Sequence, residues 1–220
     1  MTDSSTDTRP YQDTLLTAYE ARSGDRQARK PTGFKVEERD HFRHWLHREE
    51  RNSVIEIGCG PGHDAEAFTD AGLRVRATDV TPAMVQLAKQ KGIDAEVLDV
   101  YDLASHDGRY DAAYSMNCLL HVPNSHIDSV LGGIQSVLAD GGLFYLGTWG
   151  GNDFEGIWEQ DSYDPSRFFS FRSARTLLSQ VQQRFRIDYY RRFEAEATGF
   201  EFHSLILRNC AEAESTTAPQ

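Results

Sequence analysis

The segment that most restricts the fold of this chain is the run from Val54 to Gly62, with the sequence VIEIGCGPG. Its apolar first half is typical of a strand that is covered on both faces of a parallel sheet. Its second half places glycine at three alternate positions, where the absence of a Cβ lets the backbone turn tightly and approach a ligand. Residues 63–71 then have the pattern of a helix. The run therefore predicts a strand, a ligand-binding turn and a helix within one α/β unit.

Two large families of cofactor-binding proteins have such a turn, and the spacing of the glycines separates them. An NAD(P)-dependent dehydrogenase has G-x-G-x-x-G, with the pyrophosphate on the helix N-terminus. Here Gly62 comes one residue earlier, and Glu56 precedes Gly58 by two residues. The resulting E-x-G-x-G-x-G resembles motif I of the class I S-adenosylmethionine-dependent methyltransferases of the small-molecule type. The dehydrogenase stays the less favoured alternative.

Three further strand-like segments follow the turn in the order that this resemblance requires. They cover residues 73–79, 95–99 and 110–116. The first ends in Asp79 and is followed by Thr81 and Pro82, a capping residue and a first-turn proline for the next helix. The second ends in Asp99 and the third in Met116. In the methyltransferases, the cofactor lies over these successive strand ends.

The resemblance implies roles for individual residues, and it covers residues 50–149 well. The residues implied on the methionine side of S-adenosylmethionine are Glu56, Gly58, Gly60, Gly62, Met116 and Asn117. Those implied around the ribose and the adenine are Asp79, Val80, Met84, Asp99 and Val100. Asp79 would accept hydrogen bonds from the ribose hydroxyls, Met84 would pack on the adenine face, and Asp99 would contact the adenine edge.

Ordinary structural roles stay open for several of these residues. Glu56 could be a solvated charge at a strand end, although a carboxylate inside an apolar strand is costly to bury without a partner. Asp79 could cap the helix that follows it. Met84 shares a helix face with Leu87 and could belong to the core. Asp99 could simply begin a turn.

The remaining pattern predicts one methyltransferase domain over residues 9–210, with disordered tails at 1–8 and 211–220. Residues 9–50 are expected to form a helical cap, with helices at 11–22 and 36–49 joined by a basic loop. Later segments predict a helix at 125–139, a strand at 143–149, a loop at 150–165 within a substrate-side insertion (150–172), a helix at 173–184 and strands at 185–193 and 200–208. These elements suit a doubly wound α/β fold, Rossmann-like, with a seven-stranded and mostly parallel sheet that has one antiparallel strand.

The long segment after the fifth strand is both aromatic and acidic, which suggests a wall of the substrate site. The residues that we assign to the substrate are Tyr19, Trp149, Asp153, Trp158 and Tyr163. Their rings and carboxylates would suit a cationic or aromatic amine. An oxygen acceptor on a secondary metabolite is nearly as plausible, and a surface loop packed on its own aromatics is the structural alternative. Arginines in the last third of the chain could suit an anion but are expected to form a solvated face.

The resemblance implies methyl transfer to N, O or C of a small molecule, in which the cofactor carries the chemistry and the protein supplies position. His121 is the first candidate for a general base, since an imidazole titrates near neutral pH. A structural histidine at a helix start is an equal alternative. A protein that binds the cofactor and only regulates or scaffolds a partner is the second functional hypothesis.

Composition excludes several other classes. The net charge of −11 argues against a nucleic-acid partner, because such partners are bound by basic surfaces. The chain has three widely spaced cysteines and no long apolar run, so we expect a cytoplasmic protein without a membrane segment. His41, His44 and His47 lie at steps of three around a helix and predict no metal site. The oligomeric state is left open.

Overall fold

Seven strands form one sheet in the computed structural model, which describes residue 9, residues 11–195 and residues 199–210. In chain order the strands are β1 (Ser53–Ile57), β2 (Arg74–Asp79), β3 (Ala95–Val97), β4 (Tyr110–Met116), β5 (Leu138–Gly150), β6 (Phe154–Ile157), β7 (Phe168–Phe171), β8 (Phe185–Ala195) and β9 (Phe200–Asn209). The helices are α1 (Gln12–Ala21), α2 (Ser23–Ala28), α3 (Phe34–Arg48), α4 (His63–Asp70), α5 (Pro82–Gln90), α6 (Ile127–Ser136) and α7 (Ala174–Val181). Two 3₁₀ turns cover Val100–Ser105 and Leu119–His121.

The strand order in the large sheet is β3-β2-β1-β4-β5-β9-β8, and β9 alone runs antiparallel to its neighbours within it. This confirms the predicted fold class. After β3 at one edge the chain crosses to β4 on the other side of β1, so the strand order reverses between β1 and β4, which pair in parallel. In open α/β sheets, ligands bind outside the carboxyl ends of the strands at such a switch point. The glycine turn follows β1 and so lies at this point.

The two faces of the sheet are covered by different helices. Within β1, Ile55 and Ile57 pack with α6 and α7, whereas Val54 packs on the other face with α3, α4 and α5. Every residue of β1 is buried, as predicted for a strand covered on both faces. Phe42 and Leu46 of α3 are fully buried in this core. Thus α3 is mainly a core layer, whereas α1, α2 and the first turn of α3 lie at the carboxyl ends of the strands.

Other predicted boundaries need correction. The predicted basic loop at 23–33 contains α2, and the predicted loop at 150–165 contains β6, which pairs antiparallel with β7 in a separate two-stranded sheet. Strand β5 begins at Leu138, five residues earlier than predicted, and includes Gly141 and Gly142. Thr81 precedes α5, but its side chain makes no capping hydrogen bond to that helix. The predicted disordered tails lie outside the described residues.

None of the helices in the described part of the chain combines the length and the apolar character needed to cross a lipid bilayer.

Candidate active site

Glycine is required at the three positions of the turn after β1 for different structural reasons. Gly58 has φ +73°, and a Cβ there would lie 2.6 Å from the Cβ of Cys118, so this glycine permits close packing of the β1 and β4 ends. Gly60 has φ +53°, and a Cβ would meet only Arg26 Nη2 at 3.6 Å. Gly60 therefore leaves its space open to the cleft. A Cβ on Gly62 would lie 2.9 Å from that of Ala88, so Gly62 packs on α5. Contrary to the prediction, it does not line the cleft.

A first pocket lies over the ends of β1 to β4, between the sheet and α1. The predicted cofactor residues in its wall are Gly58, Gly60, Asp79, Val80, Met84, Asp99, Val100, Met116 and Asn117. Helix α1 supplies the opposite wall with Tyr11, Gln12, Leu15 and Tyr19. Met84 is only 1% exposed, so its two expected roles coincide: it belongs to the core and faces the pocket. The strand ends thus bring together residues that are far apart in sequence.

Asp79 links two backbone segments at the floor of the first pocket. Its Oδ2 accepts a hydrogen bond from the Gly60 N–H at 2.8 Å, and its Oδ1 accepts one from the Thr81 N–H at 2.8 Å. Burial raises the pKa of Asp79 above its usual value, against these hydrogen bonds. Asp79 therefore fixes the glycine turn and the start of α5. Each oxygen has a second lone pair, so this role is compatible with a ligand hydroxyl.

Asp99 ties α1 to the sheet. Its Oδ2 accepts hydrogen bonds from Gln12 Nε2 at 2.6 Å and from Arg9 Nη1 at 3.2 Å, and its Oδ1 accepts one from the Tyr101 N–H at 3.1 Å. Arg9 also pairs with Asp102. The carboxylate of Asp99, which was expected to contact an adenine edge, therefore already holds α1 in place.

A second pocket adjoins the first and extends towards α3 and β5. Its basic residues are Arg26, Arg29, Lys30, Lys35 and Arg167, and its acidic residues are Glu56 and Asp64. Trp149, which the sequence assigns to the substrate, lies in the wall of this pocket. Tyr19, Arg26, Gly58, Met116, Asn117 and His121 line both pockets. These six residues form what we call the junction.

Two buried oxygen atoms near the junction accept no hydrogen bond from the described residues. They are Glu56 Oε2 and Asn117 Oδ1. Glu56 is 3% exposed, and burial together with repulsion from Asp64 raises its pKa well above the usual value. Asn117 has φ +56°, a conformation that a residue with a Cβ adopts only at a cost. Unpaired buried oxygens and local strain are typical of a site completed by a ligand.

His121 lies in the junction, but both of its ring nitrogens are engaged. Nδ1 is 2.7 Å from the carbonyl oxygen of Phe168, which can only accept, so Nδ1 carries the proton. Nε2 then accepts from the Tyr19 hydroxyl at 2.8 Å, and that hydroxyl also accepts from Arg167 at 2.9 Å. Burial lowers the pKa of His121 to about 3. The geometry therefore argues against the expected role as general base, since a group with this pKa takes up a proton poorly at neutral pH.

The segment that carries His121 is held by Arg172, a residue that sequence reasoning missed. This buried guanidinium donates to the carbonyl oxygens of Leu119 and Val122 at 3.2 and 2.7 Å and to Asn124 Oδ1 at 3.0 Å. Burial lowers the pKa of Arg172 to about 10. Because Arg172 follows β7, it fixes the β4 loop to the small two-stranded sheet.

The acidic segment after β5 does not face either pocket. Asp153, predicted to contact the substrate, accepts hydrogen bonds from the backbone N–H and the hydroxyl of Ser173 at 2.7 and 3.0 Å and so caps the start of α7. Trp158 packs among Phe169, Phe171 and other rings, outside both pocket walls. These two assignments are corrected: local hydrogen bonds and ring packing take up the side chains.

Tyr163 lines neither pocket but packs behind Tyr19 of the junction. Its ring packs edge-on against that of Tyr19 at 5.6 Å between centroids, and the guanidinium of Arg167 lies 3.6 Å from its centroid. Arg167 in turn forms a bidentate pair with Asp161. The basic residues of the second pocket were not assigned from the sequence, although a basic stretch at 26–35 in a strongly acidic chain was a usable signal.

The doubly wound sheet, the glycine turn and the pocket at the β1–β4 switch point define a class I S-adenosylmethionine-dependent methyltransferase fold. The sequence model of the methyltransferase domain matches residues 29–185, and the chain belongs to this family. The match decides between the two cofactor families considered for the turn and confirms the methyltransferase prediction.

Individual relatives match over part of the chain. The ubiquinone biosynthesis O-methyltransferase of Xanthomonas campestris pv. campestris (strain B100) is 33% identical over 102 residues, which are 43% of this chain and 42% of that protein. The chain therefore spans less than half the length of such curated relatives.

Solved structures match over more of the chain at lower identity. The 1,6-didemethyltoxoflavin-N1-methyltransferase of Burkholderia thailandensis, with bound 1,6-didemethyltoxoflavin and S-adenosylhomocysteine, superposes with a TM-score of 0.68 at 19% identity, covering 96% of this chain and 94% of that one. The [4+2]-cyclase SpnF superposes with a TM-score of 0.60 at 16% identity, covering 73% and 76%. At such identities the likeness supports the fold and does not select a reaction.

Proposed function

We propose that this protein transfers the methyl group of S-adenosylmethionine to an oxygen or nitrogen atom of a small molecule bound in the second pocket. The observation that carries this proposal is the junction, where one set of residues lines both a pocket over the strand ends and a separate polar pocket. A transfer reaction needs donor and acceptor side by side, and two adjoining pockets provide that. The named relatives, an O-methyltransferase and an N1-methyltransferase, favour a heteroatom as the acceptor.

Residues of the first pocket, together with Glu56 of the adjoining second pocket, fit this cofactor. Glu56 lacks a cationic partner in the described chain, and the amino group of a methionine moiety would supply one. Asp79 has free lone pairs for ribose hydroxyls, and Met84 offers an apolar wall for adenine. When bound, S-adenosylmethionine supplies an electrophilic methyl group on a sulfonium.

Tyr19 and His121 are proposed to position the acceptor rather than to remove its proton. Because His121 Nδ1 donates to a backbone carbonyl, its Nε2 fixes the direction of the Tyr19 hydroxyl. That hydroxyl also accepts from Arg167, which leaves one lone pair of its oxygen for a donor on the acceptor molecule. Alignment of two reactants can lower a barrier by roughly 7–11 kcal/mol, so no dedicated base is needed.

The proposal is tested first by cofactor binding. S-adenosylhomocysteine at about a hundred times its dissociation constant should stabilise the folded protein by about 2.7 kcal/mol in thermal unfolding, while NAD should not. Labelled S-adenosylmethionine and a panel of phenols, carboxylic acids and amines should then give a labelled product. If the protein binds the cofactor but labels no small molecule, and retains a protein partner only when loaded, a regulatory role replaces this proposal.

A further inference from the structure

The second pocket is basic although the chain as a whole carries a net charge of −11. Of its two acids, Asp64 forms an ion pair, and Glu56 is proposed above to bind the amino group of the cofactor. Asp64 pairs with Arg39 at 3.2 Å, and Arg167 is neutralised by the bidentate contact with Asp161. In the described part of the chain, Lys35, Arg26 and Arg29 have no carboxylate within ion-pair distance. Three cations therefore line this pocket without an ion-pair partner among the described residues, although Asp64 attracts Lys35 from a longer distance.

Lys35 is the most constrained of these cations. It is half-buried at the start of α3, and its Nζ lies 5.3 Å from the ring centroid of Trp149 and 5.6 Å from that of Phe202. Burial, followed by repulsion from Arg26 and Arg29, lowers the pKa of Lys35 to about 8. A desolvated ammonium with like charges around it is unfavourable unless an anion joins them.

The positions of these cations indicate which of them can contact the acceptor and which the cofactor. Arg26 lines both pockets and lies over Gly60, so it can reach the methionine end of the cofactor. Arg29 and Lys35 line the second pocket alone. An anion held by these two residues is thus on the acceptor side of the junction. Trp149 beside Lys35 offers an aromatic surface for the body of the same molecule.

We infer that the methyl acceptor is an acid, with a carboxylate or a phosphonate held between Lys35 and Arg29 and an apolar or aromatic body against Trp149. The inference rests on the proposed function and names its substrate class. It departs from the sequence-based expectation of a cationic amine, because the acidic residues of the segment after β5 lie outside the pocket wall, whereas basic residues of α2 and α3 lie in it. An amine would meet three unpaired cations.

The experiment is a calorimetric titration of the protein with small probes, both ligand-free and saturated with S-adenosylhomocysteine. The probes are benzoate, phenylphosphonate, neutral benzamide and cationic benzylamine. We expect the two anions to bind at least tenfold more tightly than benzamide, and benzylamine not to bind. The comparison of benzoate with phenylphosphonate identifies the preferred acid.

Variants assign the binding to the pocket. Lys35→Gln should weaken anion binding at least tenfold and leave the affinity for S-adenosylhomocysteine within twofold of wild type. Lys89→Gln, which removes the same charge from the exposed surface of α5, should change neither. Arg29→Gln, at an exposed position, provides a second test if the Lys35 variant does not fold.

Equal binding of benzylamine and benzoate would overturn the inference, as would an anion affinity that neither variant changes. A loss of S-adenosylhomocysteine binding in Lys35→Gln would assign Lys35 to the cofactor instead and would also overturn it. Failure of the proposed function has a different signature: S-adenosylhomocysteine would not bind, while the ligand-free titration would still report on the anion site.

Discussion

The two pockets on either side of the junction differ in how their charges are satisfied. In the first pocket the carboxylates of Asp79 and Asp99 accept hydrogen bonds from backbone N–H groups and from α1. In the second, the cations Lys35 and Arg29 have no acidic partner within the described residues. The acids of the first pocket are therefore held by the polypeptide itself, whereas Asn117 Oδ1, in the wall that both pockets share, has no hydrogen-bond partner among the described residues. The second pocket needs a ligand to balance its charge.

Because of this difference, we expect substitutions in the two pockets to affect different properties of the protein. Changes in the first pocket should alter the stability of the free protein, because its polar groups support the backbone. Changes in the second should alter ligand binding with little cost to the free protein, since its charges repel one another in the absence of a ligand. The predictions below test this contrast.

The largest effect is expected from a pair of glycine substitutions. Gly58→Ala forces a Cβ against Cys118 in a left-handed backbone, so the free energy of unfolding should fall by about 2–5 kcal/mol. Gly60→Ala meets only a flexible arginine and should cost about 1–2 kcal/mol from its backbone conformation. Yet Gly60→Ala should reduce S-adenosylhomocysteine binding, because its methyl group enters the cleft. Urea denaturation and calorimetry measure both.

A matched control tests the cause of the Gly58 effect. Cys118→Gly in the Gly58→Ala background removes the colliding atoms and should restore part of the lost stability. If it restores none, the collision is not what makes glycine necessary at this position.

Asp79→Asn should come next in size. The amide nitrogen of asparagine would face the N–H of either Gly60 or Thr81, so one backbone donor loses its acceptor at a cost of about 1–3 kcal/mol. Affinity for S-adenosylhomocysteine should fall about a hundredfold, because charge-assisted bonds to the ribose are each worth roughly 1.5–3 kcal/mol. Asp94→Asn, at a surface pair with Arg76, is the control. Unchanged affinity with reduced stability would leave Asp79 with the structural role alone.

Glu56→Gln should separate stability from binding. Burial raises the pKa of Glu56, so the folded state favours its protonated form. The corresponding stability is fully present below the usual pKa of about 4.3 and is lost as the pH rises through the raised pKa. At pH 7 the variant should therefore unfold at a higher temperature than wild type. Its affinity for S-adenosylhomocysteine should fall about tenfold, through the lost contact of a carboxylate with an ammonium.

Proton release provides an independent measurement of the same prediction. If Glu56 ionises when the amino group of S-adenosylhomocysteine binds, the binding enthalpy of wild type should depend on the ionisation enthalpy of the buffer. The Glu56→Gln variant should lose that dependence. A dependence equal in both proteins would assign the proton to another group.

The smallest effect is expected at His121. With its pKa lowered to about 3, His121 stays neutral from pH 5 to 8, so kcat/KM should show no limb from this residue in that range. His121→Gln should lower kcat less than tenfold, well below the roughly 10²–10⁴-fold typical of a lost general base. A pH–rate limb near 6.5 that disappears in the variant would restore the base assignment.

The sequence predicted the cofactor half of the molecule well, because its signals are local. Strand β1 is buried throughout, β4 has the predicted bounds, and the glycine turn and Asp79 lie where the pattern indicated. Each of these features follows from a few neighbouring residues: an apolar run, alternate glycines, or an acid after a strand.

The acceptor half was predicted poorly, because its contacts join distant segments. Asp153 looked available for a substrate, but Ser173, 20 residues later, takes up its oxygens. The basic stretch at 26–35 was a signal, but it did not show that Lys35 faces a pocket, because the environment of Lys35 is set by Trp149 on β5. A sequence shows which segments are rich in charged residues. The direction in which each charged side chain points depends on the partners that the fold brings close to it.

The contacts of α1 have a consequence for the timing of turnover. This helix is fastened near its first residue by Gln12 to Asp99 and by the stacking of Tyr11 on Phe168, and towards its end by Tyr19 to His121. It covers the first pocket and also borders the second. We expect spent cofactor to leave past α1, which requires these contacts to open and removes one wall of the acceptor site. Departure of S-adenosylhomocysteine, rather than the chemical step, is then expected to set the pace of the cycle, with the methylated product leaving first.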